Sequence, residues 1–134
     1  MPELPEVETT VRGLATVLEG QRIERVQLNR PDLRRAFPDG LGQALTGATV
    51  TGLGRRAKYG LVHTDRGQTM VFHLGMSGRW RIDPEAADRH DHLVLATASH
   101  VLALNDARRF GSVDLVDTDR IEAWPPLSLA GSPR

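Results

Sequence analysis

Apolar positions along this chain follow two different periods, and the change falls at Gly20. From Pro5 to Leu18, the residues Val7, Val11, Leu14, Ala15 and Leu18 recur at i, i+4, i+7, i+8 and i+11, which marks one face of an amphipathic helix. Pro5 suits a first-turn position whose N–H has no partner, and Glu6 and Glu8 sit where the positive end of the helix dipole favours carboxylates. Beyond Gly20 the pattern shortens to β-prone stretches at Arg22 to Leu28, Thr49 to Leu53, Gly60 to His63, Thr69 to Leu74, Arg79 to Ile82, His92 to Ala96, Val101 to Leu104 and Ser112 to Val116. Turn residues separate them, as in Asp65-Arg66-Gly67 and Gly75-Met76-Ser77-Gly78, while Leu41 to Leu45 reads as a short second helix. About eight short strands behind a leading helix predict a mainly β fold, either a sandwich or a barrel. Residues 117–134, with Trp124-Pro125-Pro126 and no periodicity, read as a tail or a severed linker.

Composition narrows the picture only in part. The 134 residues, 40% of them hydrophobic, suffice for one domain with its own core and not for two. Seventeen basic side chains balance seventeen acidic ones, so any attraction to nucleic acid must be local. One segment is uneven: between Arg55 and Arg81 stand Arg55, Arg56, Lys58, Arg66, Arg79 and Arg81 against the single acid Asp65. That run predicts either a basic face or an ordinary solvated rim. No cysteine is present, so disulfides and thiolate metal sites are excluded within the chain. No window approaches the roughly 18 consecutive apolar residues of a membrane span, and the expectation is a cytoplasmic protein with no membrane partner.

The candidate chemistry begins at the N-terminus. Removal of Met1 would leave Pro2 as a secondary amine, with an ordinary α-amino pKa of about 7.7 to 8.0, beside the carboxylates Glu3 and Glu6. Such an amine condenses with an aldehyde to an iminium that stays charged without a proton and so acts as an electron sink. Proline at this position also has a plain reading as a helix start. Met76 lies between glycines on a predicted exposed turn, where its side chain has little to pack against and could contact a partner. In Asp106-Ala107-Arg108-Arg109-Phe110-Gly111, two arginines precede an aromatic at a strand end; arginine can pair with phosphates or base edges and phenylalanine can wedge between base steps. His90 and His92 would share a strand face, but no third ligand stands at a metal-binding spacing, so hydrogen bonding or phosphate contact is the better expectation for them and for His73.

Met1-Pro2-Glu3-Leu4-Pro5-Glu6-Val7-Glu8-Thr9, Arg55-Arg56-Ala57-Lys58-Tyr59, His73-Leu74-Gly75-Met76-Ser77-Gly78, His90-Asp91-His92 and Arg108-Arg109-Phe110-Gly111 together resemble, in this order, the N-terminal domain of bacterial formamidopyrimidine-DNA glycosylases. The resemblance covers residues 1–116 and implies a two-layer β-sandwich of about eight strands plus two helices. It implies excision of oxidised purines such as 8-oxoguanine and formamidopyrimidines from damaged double-stranded DNA, by a monomer. By that resemblance Pro2 would be the Schiff-base nucleophile, Glu3 the proton shuttle, Glu6 an organiser of the site, and Lys58 a phosphate contact and acid for β-elimination. His73, His90 and Arg109 would bind the DNA backbone, while Met76, Arg108 and Phe110 would fill the gap left by the flipped nucleotide. The family's helix-two-turns-helix element and four-cysteine zinc finger have no counterpart here, so no cofactor is expected in this chain. The alternative is a catalytically weak or inactive DNA-binding remnant.

Overall fold

The computed structural model describes residues 4–123. Helix α1, Leu4–Leu18, buries Val7, Val11, Leu14 and Leu18 and leaves Glu6, Arg12 and Thr16 exposed, as the period of 3.6 requires. Gly20 ends it at φ 79°, a left-handed conformation that glycine adopts without steric cost, and its N–H donates to Val50 O at 2.8 Å. The helix is thereby delivered onto the strand it covers.

Eight strands follow: β1 Arg25–Leu28, β2 Val50–Arg56, β3 Tyr59–Thr64, β4 Gln68–His73, β5 Arg79–Ile82, β6 Asp91–Ala96, β7 Val101–Asn105 and β8 Ser112–Asp117. They form two four-stranded antiparallel sheets, ordered β1-β6-β7-β5 and β2-β3-β4-β8, with α1 packed on β2 and β3 and the short α2, Leu41–Leu45, near β1. The sandwich expectation holds and the barrel does not. Between the layers Met70, Phe72, Leu93, Leu95, Leu102 and Leu104 are fully buried. Phe72 of β4 meets Trp80 of β5 edge to face at 5.6 Å, joining the two sheets. Gly60, paired with Phe72 in the register, makes room for that ring, since a Cβ there would stand 2.1 Å from its tip.

Two boundaries differ from the sequence expectation. In the stretch Arg22 to Leu28, Arg22 makes an isolated bridge to Thr49 and only Arg25–Leu28 is strand, because its hydrogen bonds divide. Val50 N donates to Gln21 O and Ile23 N to Ala48 O beside the second sheet, whereas Glu24 N donates to Ala96 O and opens β1 in the first. One β-prone stretch thus passes from one layer to the other, and only its second half counts as a strand. At the other end the chain does not come loose at residue 117. β8 includes Asp117, and a 3-10 helix, Thr118–Ala123, is tied back by Thr118 N to Gly67 O at 2.8 Å and by Arg56 Nη1 to Ile121 O at 3.0 Å. The Trp124-Pro125-Pro126 segment and the rest of the expected tail lie outside the described residues.

Candidate functional site

The start of α1 and the β2–β3 hairpin are held together by one arginine. Arg55 Nε donates to Glu8 Oε1 at 3.1 Å and Arg55 Nη1 to Ala57 O at 2.8 Å, while Arg12 Nε holds Glu8 Oε2 at 3.0 Å. Those two guanidiniums, Arg55 first, keep the Glu8 carboxyl below its ordinary pKa. The hairpin closes on the Arg56 to Tyr59 pair, so Ala57 and Lys58 form its tip, with Ala57 forced to φ 52°. Of the residues singled out for chemistry, Glu6 is exposed on α1 and Lys58 half-buried at this hairpin. Pro2 and Glu3 lie outside the described residues.

His73 ends β4 opposite Tyr59, the two rings meeting at 5.2 Å and 63°. Its Nδ1 accepts the Gly75 N–H at 2.9 Å, which leaves the ring proton on Nε2. Burial pushes the His73 pKa down, and the positive charges of Lys58, Arg34 and Arg35 push it further. His73 is therefore a neutral Nε2–H donor of fixed tautomer beside Lys58.

Next to it two loops present apolar tips. Met76 is 63% exposed on the turn after β4, which Gly78 N closes on Leu74 O at 2.8 Å, and Phe110 is 48% exposed between β7 and β8. The Arg108 guanidinium lies 5.5 Å from the Phe110 ring centroid, a cation–π contact at the surface. Arg109 adopts φ 55°, uncommon for a side chain with a Cβ, and points Nη1 to Asp32 Oδ1 at 3.3 Å.

Arg109 also borders an open basin of about 250 Å³ lined by Arg30, Arg89, His90, His92 and Ala107. Asp32 takes Arg30 as well, at 3.3 Å, so one carboxylate serves two guanidiniums. His90 accepts from Arg89 Nε at 3.2 Å. His90 precedes β6 and a bulge separates Asp91 from Leu93, so the pair is not in regular strand, yet the two rings meet edge to face at 6.0 Å on the same side. His92 is buried and donates Nε2–H to Asp106 O at 2.9 Å; no cluster of three potential metal ligands exists among the described residues.

The basic run between Arg55 and Arg81 does not make a single basic face. Arg55 serves Glu8, Arg56 the Ile121 carbonyl, Arg66 the carbonyls at the end of α2, and Arg81 the buried Asp91 at 2.7 Å. Cations instead gather at the basin from three separate segments. Arg30, Arg89, Asp32, Ser77 and Asp106 were not singled out by sequence reasoning. For Asp106 a signal existed, since an acid shortly before two loop residues and a glycine is the pattern of a side chain capping its own turn.

Comparison with known proteins matches residues 1–113 to the sequence profile of the formamidopyrimidine-DNA glycosylase N-terminal domain. Formamidopyrimidine-DNA glycosylases of Novosphingobium aromaticivorans and Erythrobacter litoralis are 76% and 70% identical to it, over 98% of this chain and 49% and 48% of theirs. The chain spans about half the length of the curated relatives it matches. Among solved structures, the Lactococcus lactis Fpg in complex with DNA containing an abasic site superposes with a TM-score of 0.83 at 33% identity, covering 92% of this chain and 47% of that one. Its complex with DNA containing FAPY-dG gives 0.82 at 34%, covering 91% and 47%.

Proposed function

Because this chain belongs to the formamidopyrimidine-DNA glycosylase family, as an N-terminal domain of it, we propose that it binds damaged double-stranded DNA and carries the nucleophile for excising oxidised purines. The observation that supports this most is the Glu8–Arg55–Ala57 chain of contacts, which sets the start of α1 against the Lys58 hairpin. That contact keeps the Lys58 hairpin beside the helix that the N-terminal residues lead into.

In this reading the Pro2 nitrogen, freed by loss of Met1, attacks the deoxyribose anomeric carbon as the glycosidic bond breaks and the base leaves with a proton. Ring opening gives an iminium, which takes the electron pair released when the adjacent C–H is deprotonated, and the 3′-phosphate departs by β-elimination; a second elimination releases the 5′-phosphate. Glu3 shuttles the protons, Glu6 supports the helix start, and Lys58 pairs with phosphate and assists the departure. The chain's own amine is the electron sink, so no cofactor takes part. The neutral His73 Nε2–H, together with His90 and Arg109 at the basin, suits DNA phosphates. Met76, Arg108 and Phe110 fill the space vacated by a flipped nucleotide, Arg108 toward the orphaned base. The chain acts as a monomer in the cytoplasm.

Lys58 is the only lysine in the 134 residues, so few amines compete for an aldehyde. The test is reductive trapping: the Met1-free chain is mixed at low salt with a duplex carrying an abasic site, and borohydride is added. A covalent protein–DNA adduct is expected. Failure to cross-link while the duplex is still bound would sink the catalytic reading and leave the DNA-binding remnant in its place.

A further inference from the structure

Asp106 is 1% exposed, immediately after β7, and its carboxylate is shared between two loops that are distant in sequence. Oδ1 accepts from Arg109 N at 3.0 Å and Oδ2 from Gly111 N at 2.8 Å, which fixes the Arg108–Phe110 loop and holds Arg109 in its left-handed conformation. Oδ1 also accepts from Ser77 Oγ at 2.5 Å, and that hydroxyl accepts in turn from Arg108 N at 3.3 Å. A side chain capping only its own turn would need the first two contacts. The Ser77 contact serves no local turn and reaches across to the loop that carries Met76.

The backbones meet as closely as the side chains. A Cβ on Gly75 would stand 2.6 Å from Phe110 C and 2.8 Å from Gly111 N, and one on Gly111 would stand 2.4 Å from His73 O. Asp106 is anchored behind this contact as well, through its N–H to His90 O at 3.0 Å and its carbonyl from His92 Nε2 at 2.9 Å. We propose that Asp106, acting through Ser77, is a positioning residue that couples the Met76 turn and the Arg108–Phe110 loop into one preformed wedge, so that both apolar tips enter a DNA lesion together. The inference rests on the DNA-binding reading above and adds to it a requirement for coupling between the two tips.

The consequence is energetic. Two independently mobile loops would each have to be ordered on insertion, whereas a coupled pair arrives ordered, so removing the couple weakens lesion binding in particular. Fluorescence anisotropy of the whole chain at low salt provides the readout. Duplexes with a tetrahydrofuran abasic analogue opposite cytosine are compared with intact duplexes, for the unaltered chain and for Ser77→Ala, Ser77→Thr and Asp106→Asn. Ser77→Ala is expected to lower the abasic-to-intact affinity ratio about tenfold, the worth of one hydrogen bond to a carboxylate, and Ser77→Thr to restore it. A double-mutant cycle adds a measure that a loss of stability would not move. Met76→Ala and Phe110→Ala are expected to be strongly non-additive in the native background and additive in Ser77→Ala. Should Asp106→Asn fail to fold, the Ser77 variants carry the same test. An unchanged ratio in Ser77→Ala, or equal coupling in both backgrounds, overturns the proposal. An unaltered chain with no preference for the abasic duplex overturns the DNA reading itself, and the wedge with it.

Discussion

The Met76 and Phe110 loops and the Lys58 hairpin are both strand connections at the surface, yet they are held by opposite means. The loops close over a buried carboxylate with three donors, and their backbones touch at Gly75 and Gly111. The hairpin is held to α1 by one ion pair that water reaches, between Glu8 and Arg55, and it carries a strained alanine at its tip. Buried, fully accepted hydrogen bonds resist deformation, whereas exposed ion pairs contribute little and exchange readily. The Met76–Phe110 pair is therefore held rigid, whereas the Lys58 hairpin can adjust.

The largest effect that would break this contrast is at Asp106. Asp106→Ala leaves the Ser77 hydroxyl and two backbone N–H groups without their acceptor, and urea denaturation should show a loss of about 3 kcal/mol. Arg55→Met, which removes the exposed ion pair that holds the hairpin to α1, should cost no more than about 1 kcal/mol. Equal costs at the two sites would erase the distinction. Ala57→Gly should move in the other direction and stabilise by about 1 kcal/mol, because glycine accepts φ 52° without the Cβ penalty. No gain in the same denaturation experiment would mean that the tip is not strained.

A smaller effect concerns pH, and it passes through His73, which joins the two regions. His63 and His73 are both held below the ordinary histidine value of 6.5 by burial, so their folded-state pKa values are depressed and the neutral form is the one folding favours. Stability is complete above pH 6.5 and falls as the pH drops below it, because the unfolded chain takes up protons first. Melting temperatures between pH 7.5 and 5.5 should show this slope, and His73→Gln should flatten part of it. The smallest effect is expected at the exposed Glu8. Glu8→Gln should leave the melting temperature within error and only quicken hydrogen exchange in the first turns of α1; slower or unchanged exchange would show that the ion pair does not restrain the helix start.

Much of this architecture was legible in the residue pattern because each element carries its own punctuation. The 3.6-residue spacing from Val7 to Leu18, Gly20 as a stop, and the Asp65-Arg66-Gly67 turn are local signals; the number of strands leaves sandwich and barrel open, and the two-layer choice rests on the family resemblance. What depended on partners far along the chain was not legible. The corner at Ile23 looked like one strand because its change of sheet is written only in hydrogen-bond partners at Ala48 and Ala96. The basic run leaves a basic face and a solvated rim both open, because counting charge does not see that Arg66 caps a helix or that Arg81 meets Asp91. Asp106 stood inside a motif already singled out, but its importance comes from Ser77, twenty-nine residues earlier.

The proposed chemistry assigns the covalent bond to the sugar to the N-terminal proline and not to Lys58, the chain's one lysine. The direct measurement is to reduce the mixture of Met1-free chain and abasic duplex with cyanoborohydride, digest the adduct, and map the added deoxyribose mass by peptide. The mass is expected on the peptide beginning at Pro2. A remnant on Lys58, or a trapped adduct with the Pro2 peptide unmodified, would contradict it.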